Sequence, residues 1–268
     1  MSRYFTSDWH INSTNILKYA NRPYKSWQSA AINLIEQCNV VASKSDCVFH
    51  VGDLIMLSND RHDIIEDVLD TNAYTLKDIK QQITANFITI EGNHDSGHNC
   101  DTDAKSLILD LNQNYRNVSV SHYPSYHDRF MLPNDNCWMW FEAVKSYVHI
   151  HLCGHVHDKW ILNYDKKKNI LNVNVGVDVW DYRPVRDSRI TEMLDFLFMH
   201  GKNLFNMTQP GFVAWNCDRW NKWVLKINGE LAANRERRRK EKLERKGLTP
   251  EECERRKIEA MKAKGLIK

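Results

Sequence analysis

Five short runs of apolar and β-branched residues lead almost directly into polar clusters of Asp, Asn or His. The runs end near Ser7, Val51, Glu91, Ser121 and Leu152, and the clusters are Asp8-Trp9-His10, Gly52-Asp53, Gly92-Asn93-His94-Asp95, His122 and Gly154-His155-Val156-His157. Runs of this length read as strands, and longer stretches with apolar residues at helical spacing lie between them. In layered α/β folds, ligands gather beyond the carboxyl ends of the strands. Five strand ends that deliver metal-ligating side chains therefore point to an α/β chain with one site along one edge.

The spacing predicts helices over 15–20, 26–43, 61–70, 75–83, 104–111 and 190–199, the second with Ala31, Leu34, Ile35, Cys38 and Val41 on one face. It predicts strands over 3–7, 47–51, 87–91, 117–121 and 148–152. A hairpin is expected from 160–163 and 170–175 around the polar turn Asp165-Lys166-Lys167-Lys168-Asn169. No repeat of 20–50 residues is present.

A chain of 268 residues can bury one large core with a small appendage. Its apolar stretches fall far short of the roughly 18–20 residues that cross a bilayer, and the N-terminus lacks the apolar core of a signal peptide. A cytoplasmic protein without membrane contact is expected. The seven cysteines are irregularly spaced with no CxxC, as reduced structural thiols are. The net charge of +3 hides an asymmetry: residues 232–268 hold 14 Lys/Arg and 7 Asp/Glu, so they carry +7 and the remainder carries −4. The chain thus divides into a domain over 1–230 and a basic helical extension over 231–268, in which Thr249, Pro250 and Glu252 mark a second helix start.

In chain order the clusters read D-x-H, GD, GNHD, H and GHxH. This five-part pattern resembles the calcineurin-like metallophosphoesterases over roughly residues 3–180, and in particular the small single-domain bacterial and phage-type members. The resemblance implies a four-layer α-β-β-α sandwich with two metal ions at one edge, the charged extension following it. It implies that Asp53 bridges the ions, that Asp8, His10 and His157 complete one coordination sphere, and that Asn93, His122 and His155 complete the other. It also implies that His94 protonates the leaving oxygen and that Asp95 orients His94. The residue types suit that chemistry: a metal pair ~3.5–4 Å apart clamps the attacking and leaving oxygens of a displacement at phosphorus, and a hydroxide bridging the pair is the nucleophile. Two divalent cations set against two carboxylates and that hydroxide leave one positive charge for a phosphate. The mixed N/O ligands favour Mn²⁺, Fe, Ni²⁺ or Zn²⁺.

Most histidines serve packing, and that reading applies to His50, His62, His98, His127, His149, His151 and His200. His127 is the rival of His122 for the one-residue fourth motif, and His122 is preferred because it follows the strand directly. Asn15, Arg22, Trp180 and Arg183 lie in segments that resemble the same subgroup, and all four are expected to contact substrate; a packed loop is the alternative. The expected activity is hydrolysis of a phosphodiester of a nucleotide or nucleic acid. The alternatives are a phosphomonoesterase, a non-catalytic scaffold of the same fold, and a nucleic-acid-binding protein. The extension has Arg and Lys for phosphates but few aromatics, so any nucleic-acid contact it makes is blind to sequence.

Overall fold

The computed structural model describes residues 1–56, 73–95, 101–130, 139–141, 146–200 and 213–214. The first compact unit of the chain is Met1–Trp215. The helix expected over 61–70 and the extension over 231–268 lie outside the described residues.

The described residues are mixed α/β with two sheets. The first holds β1 (Arg3–Thr6), β2 (Cys47–Val51), β3 (Asn86–Ile90) and β10 (Val185–Arg186), in the order β10-β1-β2-β3. β1, β2 and β3 are parallel, with Phe5 opposite Phe49 and Phe49 opposite Ile88, and β10 closes the edge antiparallel. The crossover from β1 to β2 contains α1 (Asn15–Tyr19) and α2 (Trp27–Val41), and the one from β2 to β3 contains α3 (Leu76–Gln82). Ser26 caps α2 with a reciprocal bond to Ser29, and Thr75 caps α3 through Asp78 in the same way. One face of the sheet, with Tyr4, Val48 and Phe87, packs on Ala31, Leu34, Ile35, Cys38 and Ile79 of these helices and on Ile83, which caps α3. The free cysteines Cys38, Cys47 and Cys153 are buried. α4 (Asp187–His200) follows β10.

The second sheet holds β4 (Leu107–Leu109), β5 (Val118–Val120), β6 (Met139–Phe141), β7 (Ser146–Cys153), β8 (Leu162–Asp165), β9 (Ile170–Asn174) and β11 (Val213–Ala214). Its order is β11-β8-β9-β7-β5-β4, with β6 paired to β7. β8 and β9 form the expected hairpin, with Leu162 opposite Val173. The stretch 104–111, expected to be helical, instead contributes β4, paired antiparallel with β5 from Leu107–Val120 to Leu109–Val118. Pairing with a buried neighbour outweighs the local helical period there.

The two faces of this sheet differ. Val120, Ile150, Leu152, Leu171, Val173 and Leu162 form an apolar face. The opposite face carries Ser119, His151, Asn172 and Asn163 in one row across four strands, all buried. Buried polar groups need partners, and here the loop after β5 supplies several. Ser119 Oγ lies 2.6 Å from His149 Nε2 and 2.7 Å from His151 Nδ1. His151 Nε2 lies 2.9 Å from the Tyr123 carbonyl oxygen, and the Ser125 amide donates to Asn172 Oδ1 at 2.8 Å. The polar row thus fixes the chain that leaves His122. No helix among the described residues is long and apolar enough to cross a membrane.

Candidate metal centre

Each predicted ligand follows a strand, and hydrogen bonds between the loops bring them together. The loop after β1 runs beside the loop after β2: Asp8 N–H donates to Gly52 O, His10 N–H to Asp53 O and Ile11 N–H to Leu54 O, at 3.1, 3.0 and 2.9 Å. Asp8 accepts from the His155 amide at 2.9 Å and from Ser7 Oγ at 2.6 Å. Asp53 Oδ1 accepts from the His94 amide at 3.0 Å.

Three sets of side chains have donor atoms within 4.8 Å of one another: Asp8, His10 and His157; His10, Asp53 and His94; and Asp53, His122 and His155. Asn93 joins the last set, since its Oδ1 lies 3.0 Å from both His122 Nε2 and His155 Nδ1. The geometry therefore separates His155 from His157 and puts Asp53 in two sets. His127 is in none of them. It stacks on Tyr123 at 4.4 Å, outside His155, while His122 lies buried 3.2 Å from Asp53 Oδ2.

The site has a specific unmet demand. Both ring nitrogens of His10 are buried without a hydrogen-bond partner, 3.5 Å from Asp53 and 4.0 Å from Asp8. Burial pushes the His10 imidazole well below its usual range, so it is neutral. Burial works to raise the Asp53 carboxyl, but the His122, His10 and His94 rings hold it well down. Burial opposes protonation of His122, but the Asp53 charge and hydrogen bond, with Asp8 and the Val51 carbonyl, carry it up to about 9. Its geometry agrees: Nδ1 faces Val51 O at 3.0 Å and Nε2 faces Asn93 and Asp53, all acceptors. Two buried carboxylates, five imidazoles and one amide oxygen make a donor set that could hold metal ions in this place.

The backbone is bent to present these groups. Asp8, His10, Asp53, His155 and His157 have φ of 60°, 49°, 56°, 71° and 51°. Non-glycine residues seldom adopt this left-handed region, and Asp, Asn and His tolerate it best. Such strain concentrates at functional sites. Gly92 answers a different constraint: a Cβ there would overlap the amide nitrogen and carboxylate of Asp53, and would lie 2.9 Å from the Gly52 carbonyl carbon. Because the first and last of these contacts are with backbone, relief requires moving the loop. Gly92→Ala is expected to lower stability by about 1–3 kcal/mol and to reduce metal content; a variant with unchanged melting and full metal content would refute this account.

Several residues act differently from their sequence-based expectation. Arg22, expected to face substrate, turns inward and is fully buried. Its Nε and Nη2 donate to Asp178 at 2.8 and 2.9 Å, Nη1 donates to Trp9 O at 2.8 Å, and Nη2 also donates to Asp8 O. Asp178 in turn accepts from His157 Nδ1 at 3.0 Å, which leaves His157 Nε2 for a metal. Asp95, expected to orient His94, accepts backbone N–H bonds from Asp53, Leu54, Ile55 and Gly92 at 2.7–3.4 Å. It ties the Gly52-Asp53 loop to the Gly92-Asn93 loop, and burial raises its pKa to about 6. Trp180 donates its indole N–H to Asn174 O at 2.7 Å. Arg183 Nε is buried without a partner, and Asn15 is exposed on α1. None of these three is in a donor set.

Sequence reasoning passed over Asp178 and Asn174. Asn174 bonds the carbonyls of His157 and Trp160 at 2.7 and 2.8 Å and accepts from the Gly176 amide. The available signal was a lone acid, Asp178, and the alternating amides Asn172 and Asn174 in the otherwise apolar run Ile170–Val179.

No protein-family model matches the chain. An uncharacterized protein of Methanocaldococcus jannaschii is 25% identical over 195 residues, covering 72% of this chain and 90% of its own length. Among solved structures, a protein of unknown function from Aquifex aeolicus aligns with a TM-score of 0.45 and 20% identity over 72% of this chain and 98% of its own. A conserved uncharacterized protein of Streptococcus pneumoniae, a predicted phosphoesterase, aligns with a TM-score of 0.29 and 15% identity over 65% of this chain and 71% of its own.

Proposed function

We infer that this chain is a metal-dependent phosphoesterase of the calcineurin-like type, its two sheets forming the central layers of a four-layer sandwich. The observation that carries the reading is Asp53, a buried carboxylate shared by two sets of converging donors beside the unpartnered nitrogens of His10. Asp8, His10 and His157 would hold one ion, and Asn93, His122 and His155 the other, with Asp53 common to both. Bound there, two divalent ions would supply Lewis acidity toward a phosphate and an activated water.

The protein's own groups do the rest. His94 is only partly buried and its amide is held by Asp53, so its ring stands near the ligands, with its centroid 5.2 Å from that of His10. It is the group assigned to protonate the leaving oxygen. Asp178 holds His157 in the tautomer that leaves Nε2 open, and Arg22 holds the Asp8 and Trp9 carbonyls so that Asp8 and His10 keep their bend. The favoured substrate is a phosphodiester of a nucleotide or nucleic acid.

The test is a panel of phosphomono- and diesters assayed with Mn²⁺. Hydrolysis of a diester should require added metal and stop with chelator; full turnover by metal-free protein would sink the reading. His94→Asn should cut turnover by roughly 10²–10⁴-fold with metal content unchanged, and loss of metal instead would make His94 a ligand. The basic extension over 231–268 is read as a contact for nucleic-acid phosphates. A chain ending near residue 230 should keep its rate on small esters, while its KM for a polynucleotide rises and depends less on salt. Equal losses on both substrate types would contradict that division.

A further inference from the structure

The donor set of Asp53, His122 and His155 is flanked by an arrangement that ligand-holding does not require. Tyr123 meets the His122 and His155 rings edge to face at 5.2 and 5.1 Å. His127 lies flat on Tyr123, with an interplanar angle of 19°, and its ring is 4.9 Å from that of His155. Arg129 is exposed, with its guanidinium carbon 5.8 Å from the Tyr123 ring centre, and its Nη1 donates to Tyr123 Oη at 3.0 Å. The Arg129 amide donates to His127 Nδ1 at 3.1 Å. That bond makes Nδ1 an acceptor, so the 2.9 Å approach of the Asp128 carboxylate to the same nitrogen is a contact and not a hydrogen bond. Burial, the larger influence, lowers the His127 pKa, in line with a neutral ring.

Three planar groups are thus fixed against one another on a short loop beside the proposed metal centre. The loop is itself held by the buried row: His151 binds the Tyr123 carbonyl, Ser125 binds Asn172 and Asp165, and Lys168 Nζ donates to Ser125 O. A loop that only supplied His122 would need none of this beyond Tyr123. Ordered aromatic and guanidinium planes that remain partly exposed are what a flat heterocycle stacks on. The opposite side of the site differs. Tyr19 meets His157 edge to face at 5.5 Å, is 67% exposed, and has no stacked partner among the described residues.

We propose that Tyr123, His127 and Arg129 form a base-stacking platform, which makes the substrate a nucleotide whose base lies on this loop while its phosphate reaches the Asp53 centre. The proposal rests on the phosphoesterase reading for the position of the phosphate. Its test is binding, so the two stand or fall separately.

Mn²⁺-loaded full-length protein is titrated with adenosine 5′-monophosphate and with ribose 5-phosphate, in which a hydroxyl replaces the base at C1′. The wild type should bind the nucleotide about tenfold or more tighter, in line with stacking of roughly 1–3 kcal/mol per base. Arg129→Ala and His127→Ala should bring that ratio close to one, with ribose 5-phosphate affinity and Mn²⁺ content little changed. Arg129→Lys keeps the charge and loses the plane, so it should behave as Arg129→Ala does. A wild-type ratio of one overturns the platform. So does full retention of the ratio in Arg129→Lys, which would make the contact purely ionic. A ratio lost in Tyr19→Ala and kept in both Arg129 variants would move the base to the His157 side and also overturns it. If the ratio behaves as expected but no phosphoester is hydrolysed, the platform stands and the hydrolase reading falls.

Discussion

Asp53→Asn is expected to abolish phosphoester hydrolysis, by more than about a thousandfold, and to leave the protein unable to retain a pair of metal ions. An amide of the same shape keeps the acceptor for the His94 backbone N–H, now 3.0 Å from Oδ1, so the fold has little reason to change. What disappears is the one negative charge common to two donor sets. Lewis acidity of bound ions accounts for several kcal/mol of transition-state stabilisation, and each 1.36 kcal/mol is tenfold in rate. Metal analysis and thermal melting check the cause. Added Mn²⁺ should stabilise the wild type by about 2.7 kcal/mol at a hundred times its dissociation constant and should stabilise the variant far less. A variant that keeps two ions per chain and its turnover would remove Asp53 from the centre.

Arg22→Ala should be the most damaging substitution outside the ligand set. The side chains of Arg22 and Asp178 are 0% and 2% exposed, so the change strands a buried carboxylate together with the Asp8 and Trp9 carbonyls. Removing one partner of a buried ion pair costs about 3–5 kcal/mol, a fall in Tm on the order of 10 °C for a domain of this size. Asp178→Asn should be milder for the fold and sharper for the site. It removes the carboxylate that holds His157 Nδ1, and losing such a partner lowers metal affinity about 10–100-fold. Denaturant melts of both variants, with Mn²⁺ titrations of Asp178→Asn, read the two effects apart. A loss under about 1 kcal/mol in Arg22→Ala would show that water takes over its role.

The ligand loops were legible because two patterns coincided there: an apolar run of strand length, and a polar cluster at its end. β2 has the span Cys47–Val51 read from sequence, and β1, β3, β5 and β7 lie within two residues of theirs. The stretch 104–111 was not legible, since Leu107 and Leu111 have a helical spacing and the reason for a strand, pairing with Val118–Val120, lies in another segment. Arg22 illustrates the same limit. An arginine close in sequence to candidate metal ligands reads as an anion ligand until the position of Asp178, 156 residues away, is known. The buried row Ser119-His151-Asn172-Asn163 was invisible for a related reason: each residue alone reads as an ordinary polar strand position, and only the register of four strands aligns them.

The left-handed backbone at Asp8, His10, Asp53, His155 and His157 also sets the evolutionary exits open to this chain. At such positions glycine relieves the conformational cost and asparagine tolerates it, whereas β-branched and bulky residues aggravate it. A descendant released from selection for activity would therefore not drift at random in these loops. It would collect Gly and Asn at the five positions, relieving the backbone strain there, and keep its two sheets. In an inactive relative, that substitution pattern would record the loss of the metals, and it would distinguish decay of the site from replacement by a new chemistry, which would have to install other side chains on the same strained turns.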